Sequence, residues 1–522
     1  MAEAVSQPAL IVRNKGLLTL ALMLGTIMQV LDTTIANVAL PHMASSLGAA
    51  QDEINWVLTF YIVAAAIATP LTGWMSDRLG QRRLFIFAVI GFTIASALCG
   101  IATSLPEMVL FRVLQGLCGA MIAPLAQTVL LSINPKEKIG QAMAIYGMGI
   151  MVAPIIGPTL GGWLTESFDW RWVFLVNVPV GILAVTMLVL YMPATPIKRR
   201  RFDFFGFGML ALGIGALQMM LDRGAGNGWF DSPETWIELG LVIAGIWVFL
   251  VHSLTGDAPF IDLRIFKDFN FNLASLFMLV VGITLFSGLA LLPPLLQNLM
   301  GYSVIFTGLL MAPRGVATML SMMVVGRLSG KVDARIMMLF GAVLMTWSLW
   351  MMTGFNLQMD YMPIIVTGAL QGFGMGFIFV PLSSMAFATI APHLRADATS
   401  VFSLVRNLGQ GIGISLVVAV LSSMMQVNHA ELAERLTATS ASVATQMPGL
   451  LTGSPQVISM VNGLVTQQSA ILAYLDDFRL MMLLSLGSIP LILLLRGPRK
   501  EKNAPAKTRE QLAIERAHAM AE

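Results

Sequence analysis

Long apolar stretches recur along this chain of 522 residues and constrain its fold more than any other feature. A helix needs roughly 20 apolar residues to cross a hydrocarbon core about 30 Å thick, and the chain has fourteen such stretches. Only 11% of its residues are charged, whereas soluble domains average about 25%. The sequence therefore predicts an all-α integral membrane protein. The predicted spans are Leu17–Leu40, Ile54–Trp74, Leu84–Thr103, Met108–Leu131, Ala142–Trp163, Val173–Met192, Phe204–Leu221, Trp236–Leu254, Phe271–Leu292, Phe306–Val325, Ile336–Phe355, Pro363–Ala388, Thr399–Met425 and Phe478–Leu495.

The distribution of basic residues predicts the orientation of these spans. An even number of spans puts both termini on one side of the membrane, and 24 of the 31 Lys and Arg residues lie on that side. Four lie on the opposite side and three lie within predicted spans. Because positively charged loops stay in the cytoplasm, we expect both termini to be cytoplasmic.

An internal repeat at an offset of 256 residues divides the chain into two halves. Three pairs align at this offset: Asp77 with Asp333, Gln115 with Gln371, and Gly157 with Gly413. Transporters commonly carry such repeats, so we expect two six-helix bundles, at 17–192 and 269–496, joined by a linker at 193–268 that adds two helices. The remaining predicted segments are cytoplasmic ends at 1–16 and 497–522 and a periplasmic segment at 426–477.

One carboxylate, Asp32, lies inside the first predicted span. A charge at that depth costs about 2.5–3.5 kcal/mol by insertion scales, so an intramembrane acid is a functional-site hypothesis by default. Arg112 in the fourth span is the candidate partner, because a guanidinium stays charged and opposes the effect of burial on a nearby acid. Neither the Asp32 nor the Arg112 charge is repeated in the second half, because Arg112 aligns with Gly368 and the ninth span has no acid. We predict that Asp32 and Arg112 couple protonation to conformation; a structurally paired or snorkelling Asp32 and a snorkelling Arg112 are the alternatives.

Five motifs occur in order along the chain: Leu31–Pro41, Gly73–Arg83, Arg112–Gly119, Gly149–Gly162 and Trp170–Pro179. Together they resemble the fourteen-helix drug/proton antiporters of the major facilitator superfamily and, within them, the EmrB-type multidrug exporters. The resemblance implies the major facilitator fold and proton-coupled export of hydrophobic or amphipathic drugs by alternating access. It also implies a bacterial inner-membrane location, a role in antibiotic resistance, and a tripartite efflux pump with a periplasmic adaptor (EmrA-type) and an outer-membrane channel (TolC-type).

The resemblance and the local chemistry assign roles to two groups of residues. A loop with an acid, basic residues and glycines is expected to act as a conformational latch, in which Asp77 pairs with a nearby Arg or caps a helix N-terminus. The predicted switch residues are Gly73, Asp77, Arg78, Gly80, Arg82, Arg83 and Asp333. Small residues allow close helix packing and prolines bend a helix. The predicted packing motif of the fifth span is Gly149, Pro154, Gly157, Pro158, Gly161 and Gly162.

A substrate cavity is predicted from polar and aromatic residues within the spans: Asn37, Gln115, Gln371, Phe373, Arg406 and Asn407. Arg406 is a candidate to contact substrate or Asp222, whereas Arg314 is expected to lie at the membrane interface. The segment 426–477, together with Asp222–Pro233, is the expected docking site for an adaptor.

Other functions are less consistent with the sequence. A proton-driven nutrient or metabolite symporter on the same fold is the main alternative, and a membrane scaffold without transport is a second. The chain has no H-E-x-x-H, G-x-S-x-G or G-x-x-x-x-G-K-[ST] motif, which argues against the enzymes and nucleotide-driven pumps that use them. We expect no catalytic residues, no metal site, no cofactor and no nucleic-acid partner.

Overall fold

The computed structural model describes residues 12, 14–50, 53–135, 138–197, 201–256, 259–435 and 455–495. Within these ranges the protein has seventeen α-helices and no strand longer than an isolated bridge. The helices are α1 (Lys15–Leu47), α2 (Trp56–Ala68), α3 (Leu71–Leu79), α4 (Gln81–Ile101), α5 (Leu105–Gly119), α6 (Ile122–Ile133), α7 (Ile139–Ser167), α8 (Trp172–Leu175), α9 (Asn177–Tyr191), α10 (Phe204–Arg223), α11 (Pro233–Thr255), α12 (Phe269–Pro294), α13 (Val304–Leu328), α14 (Ala334–Met352), α15 (Met362–Ala388), α16 (Arg395–Arg435) and α17 (Pro455–Leu494).

These helices supply the predicted number of membrane spans. Thirteen helical runs are long and apolar enough to cross a membrane, and the bent pair α2–α3 makes a fourteenth. The pairs α5–α6 and α8–α9 each count as one of the thirteen. The all-helical membrane fold predicted from the sequence is therefore confirmed. The predicted tail 497–522 and residues 436–454 lie outside the described residues.

Two spans differ from their predicted form. The second bends by 58° between α2 and α3 and runs on to Leu79, because Pro70 cannot donate a backbone hydrogen bond at the break. The fourth begins at Leu105 and is interrupted between α5 and α6. Arg112 therefore lies about two turns inside that span, further in than the prediction from Met108 placed it.

The other large difference is at the predicted periplasmic segment. Residues 426–435 continue α16 and residues 455–477 belong to α17, so the described parts of this segment are helical. At 1.5 Å per residue, α16 and α17 are each about 60 Å long, roughly twice the thickness of a hydrocarbon core. The two helices contact each other beyond the membrane portion, where His429 Nε2 lies 3.1 Å from Asn462 Oδ1.

We call the end of the bundle where α1 begins the N side, and the end where α1 finishes the far side. On the N side the two halves are joined by hydrogen bonds between α6 and α16. The Oγ1 atoms of Thr128 and Thr399 lie 2.6 Å apart, and Arg395 Nη1 donates to the Leu131 carbonyl at 2.8 Å. The N-side ends of the halves are therefore held together in this conformation.

The helix α7 packs along α13 of the other half over most of its length. A Cβ added at Gly147 would lie 2.7 Å from Met322 Sδ, and one added at Gly315 would lie 1.9 Å from the Ile155 side chain. Glycines on both helices thus permit this close approach.

The inserted helix α10 contacts both halves near its far-side end. Asp222 accepts a hydrogen bond from Thr59 of α2, while Ser415 of α16 donates to the Leu221 carbonyl at 2.7 Å. The inserted helix α10 is therefore packed against both halves of the bundle.

Candidate functional site

The predicted pair of Asp32 and Arg112 forms a buried ion pair in the first half. Arg112 Nη1 lies 2.5 Å from Asp32 Oδ2, and both side chains are 0% exposed. Arg112 Nε donates to the Val57 carbonyl at 3.0 Å, so the backbone of α2 also holds the guanidinium in place. Arg112 consequently reaches neither lipid headgroups nor water, and the snorkelling alternative is wrong for this conformation.

Two amides complete the coordination of the carboxylate. Gln115 Nε2 donates to Asp32 Oδ1 at 2.8 Å, and its Oε1 accepts from Arg112 Nη1 at 2.7 Å. Asn177 Nδ2 donates to Asp32 Oδ1 at 2.9 Å and contacts Ser96 Oγ at 3.0 Å. Asp32 thus receives hydrogen-bond donors from both α5 and α9.

Aromatic rings and a thiol close the site around the guanidinium. Arg112 Cζ lies 4.2 Å from the ring centroid of Tyr61 and 5.5 Å from that of Phe174. Cys99 Sγ lies 3.7 Å from Gln115 Oε1. Rings at such distances attract a cation, so they add to the contacts that hold the guanidinium in its buried position.

This geometry corrects one predicted role and adds a residue to the site. Gln115 was predicted to line the substrate cavity, but both ends of its amide are bonded within the charged network. The spacing of Arg112 and Gln115, three residues apart on one helix, already puts the two on a common face. Asn177 belongs to the Trp170–Pro179 motif, and only folding brings that motif to Asp32.

The predicted switch residues occupy the N side around α3. A Cβ at Gly73 would lie 2.0 Å from Asp397 Oδ1, so α3 packs directly on the start of α16. Asp77 lies one turn further along α3, on the same face. Gly80 adopts a φ of 81°, which favours glycine, and a Cβ there would be 3.2 Å from the Thr195 carbonyl.

The basic switch residues and Asp333 have other surroundings. Arg82 Nη2 donates to the Val189 carbonyl at 2.6 Å, while Arg78 and Arg83 are exposed. Asp333 caps α14 by accepting from the Arg335 amide at 2.9 Å. The acid that meets the opposite half next to Gly73 is Asp397, which the sequence analysis did not single out.

The predicted packing motif lies where α7 meets α1. A Cβ at Gly149 would lie 2.2 Å from Met23 Cε, one at Gly157 would lie 2.2 Å from Thr34 Oγ1, and one at Gly161 would lie 3.2 Å from the Ile35 side chain. Pro154 and Pro158 lie inside the same helix. Gly162 has nothing within 4 Å and so does not contribute to this contact.

The remaining predicted cavity residues are spread over three helices. Asn37 is exposed on α1, Phe373 packs its ring on Phe377 of α15, and Arg406 and Asn407 are half-buried on α16. Among the described residues, Arg406 has no ion pair with Asp222.

Gln371, the last predicted cavity residue, is buried on α15 next to Arg314 of α13. Arg314 is only 6% exposed, so the expectation of an interfacial position for it is wrong. The described residues contain no group of three or more His, Cys, Asp or Glu side chains arranged to hold a metal ion.

Comparison with known proteins matches this fold and site to one superfamily. The family model of the Major Facilitator Superfamily matches residues 22–414. The solved structures of the human organic anion transporter MFSD10 and of the proton:xylose symporter XylE share the fold, with TM-scores of 0.61 and 0.57. Each structure is 15% identical in sequence to this chain. The alignment with MFSD10 covers 91% of this chain and 99% of MFSD10, and the alignment with XylE covers 92% of this chain and 96% of XylE.

Curated relatives are much closer in sequence. The multidrug export protein EmrB of Escherichia coli (strain K12) is 35% identical over 468 residues, covering 88% of this chain and 91% of the relative. The fatty acid resistance protein FarB of Neisseria gonorrhoeae is 36% identical over 487 residues, covering 92% and 96%. The chain therefore belongs to the major facilitator superfamily and, within it, to the EmrB-type multidrug export proteins.

Proposed function

We propose that this protein is a proton-coupled antiporter that exports hydrophobic and amphipathic drugs by alternating access. The observation that carries the proposal is the buried Asp32–Arg112 pair, in which an acid within a membrane span contacts a permanent cation. Two relatives, a multidrug export protein and a fatty acid resistance protein, support export of apolar compounds.

The surroundings of Asp32 suggest how protonation is coupled to movement. In the present conformation the carboxylate accepts hydrogen bonds from Arg112, Gln115 and Asn177. A proton on Asp32 removes the charge that holds Arg112 and thereby weakens the link between α1 and α5. Because α1 packs on α7 through glycine contacts and α7 packs on α13, a shift of α1 reaches the second half directly.

The N-side contacts provide the element that must open. The contact of Gly73 with Asp397 and the hydrogen bond of Thr128 with Thr399 join the halves on this side. We assign the switch residues around α3, with Asp77 facing the start of α16, to the latch that closes this side. Alternating access then consists of breaking these contacts while the far side closes.

Replacing Asp32 with Asn tests the proposal. The neutral, nearly isosteric amide cannot release a proton, so we expect drug binding to persist while gradient-driven export falls at least about tenfold, since intramembrane acids act as proton relays. Export is measured in proteoliposomes with an imposed proton gradient. The control is Asp169→Asn, at an exposed acid, which should transport like the wild type. Export by Asp32→Asn at the wild-type rate would refute the assignment.

The same vesicles distinguish antiport from symport. An antiporter moves drug in the direction opposite to the proton flow, so drug export is driven by an inward proton gradient. Export slows when that gradient is inverted. A nutrient or metabolite symporter responds with the opposite sign.

We further propose that the protein resides in the bacterial inner membrane with both termini in the cytoplasm, so that the N side faces the cytoplasm. The parts of α16 and α17 that extend beyond the membrane would then project into the periplasm and offer a docking surface for an adaptor of a tripartite pump. Co-purification of an EmrA-type adaptor tests this proposal, with a variant in which a short Gly/Ser linker replaces residues 426–477 as the control. Equal recovery of adaptor by both chains contradicts this docking site.

A further inference from the structure

The repeat of 256 residues pairs the proton site of the first half with a different site in the second half. At this offset Asp32 aligns with Gly288 of α12, and Gln115 aligns with Gln371 of α15. The second half therefore keeps the carboxamide and has a glycine in place of the carboxylate.

The structure brings Gly288 and Gln371 together around a guanidinium. A Cβ added at Gly288 would lie 3.5 Å from Arg314 Nη1 and 3.7 Å from Gln371 Nε2. Arg314 comes from α13 and passes over Gly368, the counterpart of Arg112, whose added Cβ would be 3.6 Å from Arg314 Cβ. A guanidinium and a carboxamide thus converge at the position that a carboxylate fills in the first half.

These two polar side chains lack the partners that their counterparts have. Gln371 is 1% exposed, and neither its Nε2 nor its Oε1 has a hydrogen-bond partner among the described residues. Arg314 Nη1 is also unpartnered, and Nη2 donates only to the Leu285 carbonyl at 3.3 Å. No acid within the described ranges lies at ion-pair distance from Arg314. A buried charge without a counter-ion is strongly unfavourable, so the surroundings of Arg314 favour an added anion.

We propose that Arg314, Gln371 and the space beside Gly288 form a binding site for one monoanionic group of carboxylate size. Charge-assisted bonds from a guanidinium are the strong class of such contacts, and the Gln371 amide supplies a further donor. The first half displays the same combination with its own carboxylate in place. The anion can be the carboxylate head of an amphipathic substrate, which rests on the proposed export function, or a free anion such as chloride.

Binding of octanoate to the purified full chain in detergent tests the site, with uncharged octanamide as the matched probe. We expect octanoate to bind at least about tenfold tighter than octanamide, the scale of one charge-assisted bond. The substitution Gln371→Glu changes one atom type and provides an internal carboxylate for Arg314. It should abolish the preference for octanoate. Gly288→Asp, which places a carboxylate at the Asp32-equivalent position, should do the same.

Gln358→Glu is the matched control, because it makes the same chemical change at an exposed glutamine outside the proposed site. It should keep the preference for octanoate. Replacing chloride by sulfate, a larger dianion, in the buffer separates the two sources of the anion. If chloride alone raises the melting temperature of the wild type but not of Gln371→Glu, and competes with octanoate, the site takes free anions as well.

Equal binding of octanoate and octanamide, or an unchanged preference in Gln371→Glu, overturns the proposal. Equilibrium binding needs no proton gradient, so this result is independent of the Asp32→Asn experiment. Export of a neutral drug by Gln371→Glu at the wild-type rate would leave the antiport proposal intact whatever the outcome for octanoate.

Discussion

At the scale of single residues, Asp32 is defined by the groups that hold its two oxygens. The sequence was sufficient to predict Asp32 and Arg112, because a charge inside an apolar span stands out. It was not sufficient to place Asn177, which lies 145 residues beyond Asp32 in the chain and contacts it only in the folded bundle. Nor could it place Ser96, which contacts Asn177. Gln371 was singled out as a cavity residue, but its burial beside Arg314 depends on how α13 crosses α15.

The role of Asn177 leads to a prediction. Asn177→Ala removes one donor from a buried carboxylate, which should cost about 1–3 kcal/mol of stability. In an Asp32→Asn background the cost should shrink, because no charge is left without a donor. Thermal unfolding of the two single variants and the double variant gives the coupling energy.

Ser96→Ala is the matched control for this cycle, because Ser96 contacts Asn177 but not Asp32. Its effect should be nearly additive with that of Asp32→Asn. Additive effects of Asn177→Ala and Asp32→Asn would show that Asn177 does not support the carboxylate.

At the scale of helices, hydrophobic length predicted the number of spans and the approximate position of each. It could not predict the bend at Pro70, since prolines such as Pro41 and Pro313 lie inside continuous helices of the same protein. Nor could it predict that α16 and α17 continue far past the apolar stretches, because a polar helix and a polar loop have similar hydropathy.

The contact of α7 with α1 gives a prediction at this scale. Gly157→Ala introduces a methyl group 2.2 Å from Thr34 Oγ1 and 2.9 Å from its Cβ. Overpacking of this kind should cost about 1–3 kcal/mol and reduce transport. Thermal unfolding in detergent and drug export measure the two effects.

Gly162→Ala on the same helix is the control, because nothing lies within 4 Å of the added group. It should be neutral or raise stability by up to about 1 kcal/mol through helix propensity. If both substitutions behave alike, the close approach of α7 and α1 is not the reason for glycine at position 157.

At the scale of the whole molecule, the two halves are not equivalent in charge although they share a fold. The first half contains a complete ion pair, whereas the second contains a guanidinium whose counter-ion has to come from outside the described residues. The sequence repeat revealed that the charged pair is confined to one half. The position of Arg314, contributed by a different helix from Arg112, could not be inferred from the alignment.

The N-side contact between the halves can be tested by cross-linking. The Oγ1 atoms of Thr128 and Thr399 are 2.6 Å apart, which suits a disulfide after both are replaced by Cys. We expect oxidation of Thr128→Cys/Thr399→Cys to stop export and reduction to restore it, because the N side can no longer open. Each single substitution, oxidised in the same way, should remain active. Undiminished export by the fully cross-linked protein would contradict opening at this interface.

The great length of α16 has a mechanical consequence. Its first residues, Arg395 and Asp397, lie among the N-side contacts of the two halves, while its last turns stand on the opposite side of the membrane. The helix is about 60 Å long. If it tilts about its N-side end, its other end therefore moves through a much larger distance than its base. If the N side opens as proposed, a partner bound at that tip is displaced further than the base of the helix moves.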